Sequence, residues 1–210
     1  TDAFIANGSA AWKLPELAEY PAITAPFVTA DMMGKWTPFM RNEETGSRYW
    51  AIPGTEGFAH RIGGLEKSNE TGAISTEPEN HHKMTILRQE KVEKIPVPDV
   101  EVEGAEDAEL LVVGFGGTYG HLRSAVDEMN KAGKKVALAH FTYINPLPKN
   151  AAEVLRKYKK VVVAEQNMGQ FAMYLRSKVE GVHLNQFNQV KGQPFVVKEL
   201  VEAFTNLLNE

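Results

Sequence analysis

The chain has 210 residues, enough for one well-packed domain or one domain with a long appendage. Its 43% hydrophobic and 24% charged residues are ordinary for a globular protein, and a net charge of −4 leaves no basic footprint for nucleic acid. With no cysteine it cannot form disulfides or give thiolates to a zinc or iron–sulfur site, and no apolar run approaches the roughly 20 residues of a membrane helix.

The opening Thr1-Asp2 lacks the basic patch and apolar segment of a signal peptide, and a reducing cytoplasm fits the missing cysteines. The first residue is not Met, which leaves truncation and ordinary N-terminal processing both open. Eight of the eleven prolines lie before residue 100 and interrupt any long element. Short apolar runs, such as Ala3-Phe4-Ile5-Ala6 and Tyr49-Trp50-Ala51-Ile52, are separated by turn residues. Only Asn80 to about Lys94 has the pattern of a helix. So long an irregular stretch is unusual inside a self-contained domain. Yet Trp12, Trp36 and Trp50 all lie in it, and disordered tails are poor in aromatics. The expectation is an ordered arm packed on the second half of the chain, on an upstream domain or on a partner.

From about residue 105 the grammar changes. Leu110-Leu111-Val112-Val113 reads as a strand that ends on the glycine cluster Gly114 to Gly120. Leu122, Ala125, Val126, Met129 and Ala132 then mark one face of a helix, which Gly133 stops. Val136 to Phe141 is a second strand, Pro146-Leu147-Pro148 a turn, and Ala151, Val154, Leu155 and Tyr158 a helix face. Lys160 to Glu165 is a third strand, followed after Gly169 by the apolar face of Phe171, Tyr174, Leu175 and Val179. Val182 to Asn185 offers a fourth strand, and Leu200, Val201, Phe204, Leu207 and Leu208 a closing helix. Strand–helix alternation with nearly all-apolar strands predicts an α/β domain: a three-layer αβα, open, mostly parallel sheet over residues ~105–210.

Three features could carry chemistry. Glycines between a parallel strand and a helix suit an anion, since amides approach closely and the helix N-terminus favours negative charge. The dinucleotide fingerprint, however, would need a glycine where Tyr119 stands, and an acid where the chain has His140-Phe141-Thr142. Tight-turn packing therefore leads over a nucleotide or another anion. The run Glu165-Gln166-Asn167-Met168-Gly169-Gln170 sits at the C-terminal edge of the sheet, where Glu165 is a candidate base and Asn167 a candidate ligand orienter. The plainer expectation is that Asn167 caps the next helix and Glu165 forms a structural ion pair. His81 and His82 point about 100° apart on a helix and cannot chelate together. His60, His121, His140 and His183 are scattered, and no Ser/His/Asp, Walker or paired-carboxylate pattern stands out.

Several stretches together resemble one family. They are Asp2-Ala3-Phe4-Ile5-Ala6-Asn7-Gly8 with Trp12 and Pro15; Tyr49-Trp50-Ala51-Ile52-Pro53-Gly54; and Arg61-Ile62-Gly63-Gly64-Leu65-Glu66 with Asn69-Glu70-Thr71-Gly72. Further along come Asn80-His81, Met84, Leu87-Arg88, Lys91-Val92, Gly117-Thr118-Tyr119-Gly120, Asn145-Pro146-Leu147-Pro148 and Glu165 to Gln170. In order and spacing they resemble the α subunit of 2-oxoacid:ferredoxin oxidoreductases of the 2-oxoglutarate type, downstream of its pyrimidine-binding domain.

The resemblance implies the tail of that domain over residues 1–25, a connecting arm over 26–104 with one helix near 80–94, and a domain similar to the transketolase C-terminal domain over 105–210. It implies a complex that converts a 2-oxoacid, coenzyme A and oxidised ferredoxin to acyl-CoA, CO2 and reduced ferredoxin. Thiamine diphosphate, magnesium and an iron–sulfur cluster belong to the full complex, and none is expected on this chain. No catalytic or metal-binding residue is assigned. Gly116, Gly117, Thr118, Tyr119, Gly120, Glu165 and Asn167 are candidates for a ligand or subunit contact. Expected partners are the β subunit and the upstream part of the α subunit, ferredoxin and coenzyme A through the complex, and a second copy of the chain; no nucleic acid or membrane is expected. A free-standing Rossmann-like nucleotide-binding module and an unrelated interaction domain are the alternatives.

Overall fold

A computed structural model describes residues 14–210, so the Asp2–Gly8 stretch and Trp12 lie outside the described residues. The described chain divides into two compact units, one through residue 96 and one over Val97–Glu210.

In the first unit, helix α1 (Pro78–Glu93) starts on a proline at its first turn, where the missing N–H costs nothing. Short 3-10 turns occupy Leu17–Glu19 and Ala30–Met32. Isolated bridges pair Phe27 with Trp50, Arg41 with Arg48 and Lys67 with Ile74. Proline-rich chain cannot extend such pairs into a sheet. Asn42 closes the Arg41–Arg48 hairpin by accepting from the Glu44 and Thr45 amides (3.0 and 2.9 Å). Phe58 and Met84 are buried, and Trp36 packs edge-on to Phe58 and His60, with centroids 5.6 and 5.1 Å away.

The second unit is built on a five-stranded sheet of β1 (Val102–Gly104), β2 (Leu110–Phe115), β3 (Val136–Phe141), β4 (Lys160–Glu165) and β5 (Leu184–Asn188). The spatial order is β1-β3-β2-β4-β5, with β1 antiparallel to β3 and every other pair parallel. Helices α2 (Tyr119–Lys131), α3 (Ala151–Arg156), α4 (Gln170–Lys178) and α5 (Val197–Asn209) connect and follow the strands. Leu111, Val113, Val161 and Val163 pack with α3 and α4 on one face, while Leu110, Val112 and Val162 pack with α2 and α5 on the other. Both sheet faces are thus covered, which is why β2 and β4 read as unbroken apolar runs.

Three details depart from the sequence reading. The fifth strand runs over Leu184–Asn188 rather than Val182 to Asn185. It lies at the sheet edge, and its alternating burial lets Asn185, Phe187 and Asn188 serve, whereas an apolar-run criterion points two residues too early. The short α3 ends at Arg156, leaving Tyr158 partly buried beyond its end. The antiparallel β1 carries no apolar run at all. It is held by register with β3 and by Asn150, whose side chain exchanges two 2.9 Å hydrogen bonds with the Val100 backbone.

Candidate functional site

The order β3-β2-β4 places a topological switch between β2 and β4. The connection after β2 leads through α2 to β3, and the one after β4 leads through α4 to β5, on the opposite side. In open α/β sheets ligands settle at the strand C-termini at such a point. The two candidate segments, Gly116–Gly120 after β2 and Glu165–Asn167 at the end of β4, therefore flank this position.

Their polar groups are largely consumed by the fold. Thr118 is 3% exposed and donates its hydroxyl proton to the Phe115 carbonyl (2.8 Å). A Cβ on Gly114 would stand 2.2 Å from Leu122 Cδ1 and 2.8 Å from Thr118 Oγ1. Gly116 has φ 62°, a left-handed conformation that glycine adopts readily. The cluster is thus a close-packed turn, as the leading sequence reading had it. Gly117 and Gly120 bring no side chain.

Glu165 is fully buried, and its carboxylate accepts from the Phe171 and Ala172 amides (2.7 and 2.9 Å) at the start of α4. This replaces the expected ion pair. The positive end of a helix and two free N–H groups meet the buried charge without a cation. The N-cap position of α4 is Gly169 rather than the expected Asn167, which lies two residues earlier and closes the turn into the helix, its Oδ1 accepting from the Gly169 and Gln170 amides (2.7 and 3.0 Å).

Tyr119 is the candidate that opens onto a cavity. A cleft of about 460 Å³ is lined by Tyr119, His140, Thr142, Tyr143, Asp99, Glu101 and Glu103, among others. The Tyr119 hydroxyl donates to Glu103 (2.8 Å) and accepts from Arg123 (2.7 Å), and its ring stands edge-on to His140 at 5.1 Å. The Tyr119 hydrogen bond and then Glu103 hold the Arg123 guanidinium above its ordinary pKa. Three carboxylates line this cleft, so it repels a diphosphate. Gly116, Gly117, Thr118, Gly120, Glu165 and Asn167 do not line it. A second, larger cavity lies in the first unit, between the Arg41–Arg48 hairpin and α1. The sequence reading missed it because its cations are dispersed from residue 41 to 91.

Comparison with known proteins follows the same outline. Residues 108–200 match the family model described as pyruvate:ferredoxin oxidoreductase core domain II. The chain is 46% identical over 201 residues to the 2-oxoglutarate oxidoreductase subunit KorA of Mycobacterium tuberculosis, covering 95% of this chain and 30% of that protein. It is 25% identical to the α subunit of 2-oxoacid:ferredoxin oxidoreductase 1 of Aeropyrum pernix, over 99% of this chain and 33% of that one. A solved structure of 2-oxoglutarate:ferredoxin oxidoreductase from Magnetococcus marinus, with 2-oxoglutarate, coenzyme A and succinyl-CoA bound, superposes with a TM-score of 0.79 at 26% identity. That match covers 91% of this chain and 34% of its counterpart. The chain thus spans about a third of the length of these relatives.

Proposed function

Because the chain belongs to the 2-oxoacid:ferredoxin oxidoreductase α-subunit family, we propose that it is a structural and assembly part of a 2-oxoglutarate:ferredoxin oxidoreductase. The whole enzyme converts 2-oxoglutarate, coenzyme A and oxidised ferredoxin to succinyl-CoA, CO2 and reduced ferredoxin. The observation that carries this reading is the 46% identity to a 2-oxoglutarate oxidoreductase subunit along 95% of the chain.

Thiamine diphosphate, magnesium and an iron–sulfur cluster are the cofactors of the assembled enzyme in this reading. The residues described do not fit thiamine diphosphate. Both Glu165 oxygens are committed to helix amides, and the cleft beside the glycine turn is lined by Asp99, Glu101 and Glu103, which oppose a diphosphate. No cysteine is present to hold a cluster. No chemical step is therefore assigned to this chain. Its contribution is a rigid sheet covered on both faces, with partners in the rest of the α subunit, the β subunit and a second copy. A cytoplasmic location goes with this reading, and among the described residues no helix is long and apolar enough to cross a membrane.

The test compares the purified 210-residue chain with the complete α and β subunits, reading 2-oxoglutarate- and CoA-dependent reduction of a viologen dye. The complete enzyme should reduce the dye and the chain alone should not. Turnover by the chain alone would overturn the assembly reading, and a complete enzyme that turns over only other 2-oxoacids would overturn the substrate.

A further inference from the structure

We propose that the groove in the first unit, between the Arg41–Arg48 hairpin, the Arg61–Lys67 loop and α1, binds the phosphate groups of a nucleotide. The inference goes beyond the proposed function and stands on the groove alone. The cavity measures about 710 Å³, within the range of ~300–1,000 Å³ of small-molecule sites.

Charge is the first argument. Residues 14–96 contain nine Lys/Arg and twelve Asp/Glu, a net charge of −3. Six of those nine cations line the groove, namely Arg41, Arg48, Arg61, Lys67, Arg88 and Lys91, but only one of the twelve acids, Glu66. Glu66 is already engaged, its carboxylate taking hydrogen bonds from His81 (2.6 Å) and Asn80 (3.1 Å). Among the described residues, none of the six cations lies within ion-pair distance of a carboxylate. The one acid of the groove, Glu66, feels the Arg88 charge, which leaves the other five cations without a facing carboxylate among the described residues.

The local geometry opposes its own charges. Arg41 and Arg48 are direct partners in an antiparallel bridge, and both guanidinium groups lie over the Phe39 ring, 5.8 and 4.7 Å from its centroid. Like charges placed opposite each other destabilise a strand pair. Burial and then the Arg48 charge push the Arg41 guanidinium below its ordinary pKa. Across the groove, Lys67 is 8% exposed, and its ammonium donates to the carbonyls of Gly63, Gly64 and Leu65 (2.5, 2.7 and 2.7 Å). Those carbonyls converge on Lys67 because Gly63 and Leu65 both take positive φ, 134° and 63°. Left-handed backbone is costly for leucine, and such strain collects at binding loops. The amides of Gly63, Gly64 and Leu65 donate no hydrogen bond among the described residues. An anion seated here would relieve the Arg41–Arg48 repulsion.

The choice of anion comes from the aromatic content. Guanidinium groups bind phosphate through paired N–H donors. Trp50, 57% exposed, lines the same groove and offers a flat apolar face for a base. A free nucleotide and the phosphorylated adenosine end of a larger cofactor share this chemistry. Coenzyme A as the source rests on the proposed function, whereas the phosphate site does not.

Calorimetric titration of the 210-residue chain with ADP, coenzyme A and inorganic pyrophosphate tests the assignment. Arg48→Gln and Lys91→Gln change exposed side chains, so both variants should keep the parent far-ultraviolet circular dichroism. Each should weaken all three ligands about tenfold, the loss expected for one charge-assisted contact. Arg48→Lys should recover part of that loss. Trp50→Ala should weaken ADP and coenzyme A but leave pyrophosphate unchanged. Coenzyme A tighter than ADP points to the larger cofactor, and equal affinity to a free nucleotide; both support the site. Absence of binding by any of the three at millimolar concentration would overturn it. So would affinities unchanged in Arg48→Gln and Lys91→Gln, or preference for an acidic peptide or oligonucleotide regardless of Trp50.

Discussion

Replacing Glu165 separates a structural carboxylate from a catalytic one. The residue is fully buried, and its two oxygens accept the amide protons of Phe171 and Ala172 at 2.7 and 2.9 Å. Glu165→Ala strands both donors in a dry site. Each unsatisfied buried N–H costs about 1–3 kcal/mol, so the variant should lose about 2–6 kcal/mol. Glu165→Gln keeps one acceptor but turns an NH2 group towards the other donor and removes the charge that faces the helix N-terminus. One stranded donor plus roughly 0.5–1 kcal/mol of dipole interaction gives a loss of about 1.5–4 kcal/mol. Either change is large against a total domain stability of about 5–15 kcal/mol. All three tryptophans lie at or before residue 50, so tryptophan fluorescence does not report on this unit. Urea unfolding followed by far-ultraviolet circular dichroism does, and the midpoint should fall with an unchanged slope. A Glu165→Gln variant within about 0.5 kcal/mol of the parent would refute the capping argument, since surface substitutions produce effects of that size.

Gly114→Ala would place a methyl group 2.2 Å from Leu122 Cδ1 and 2.8 Å from Thr118 Oγ1, and should destabilise the α/β unit by about 1–3 kcal/mol, read as a lowered melting temperature. At the surface, Asp107 pairs with Lys135; the Lys135 hydrogen bond holds the Asp107 carboxyl below the ordinary carboxylate range, and Asp107 in turn pushes the Lys135 pKa up. Because the folded Asp107 value is depressed, its stabilisation is present above the unfolded pKa of about 3.9 and is lost as pH falls through the lower folded value. The Lys135 contribution has the opposite sense: it is complete below the unfolded value of about 10.4 and lost as pH rises through the folded one. Carboxyl NMR titration of a Lys135→Gln variant should move the Asp107 midpoint upwards, and an unmoved midpoint would show that Lys135 does not set it.

The strands at residues 136–141 and 160–165 were legible from sequence because each is buried on both faces of a parallel sheet, so an unbroken apolar run is their local signature. The helix faces at Leu122, Ala125, Val126 and Met129, and at Phe171 and Leu175, were legible for the same reason, since helical periodicity records which side meets the sheet. The Asn167 turn before the helix is likewise local, reaching only to Gly169 and Gln170. Edge elements leave no such trace. Strand β1 is polar and partly exposed, and only its register against Ala137 to Ala139 makes it a strand. The role of Glu165 depends on where the start of α4 falls against the end of β4, so its partner is a pair of backbone amides that no residue pattern announces. The cationic groove depends most on tertiary structure. Arg41, Arg61 and Lys91 are separated by loops and a helix, and their charges, individually ordinary and diluted by twelve acids over residues 14–96, converge only when the chain folds the hairpin and the loop around α1. Sequence by itself determines what each segment buries, because burial is encoded by local period. Which separated polar groups meet is decided by tertiary structure, because Coulomb and hydrogen-bond partners are chosen by distance in space.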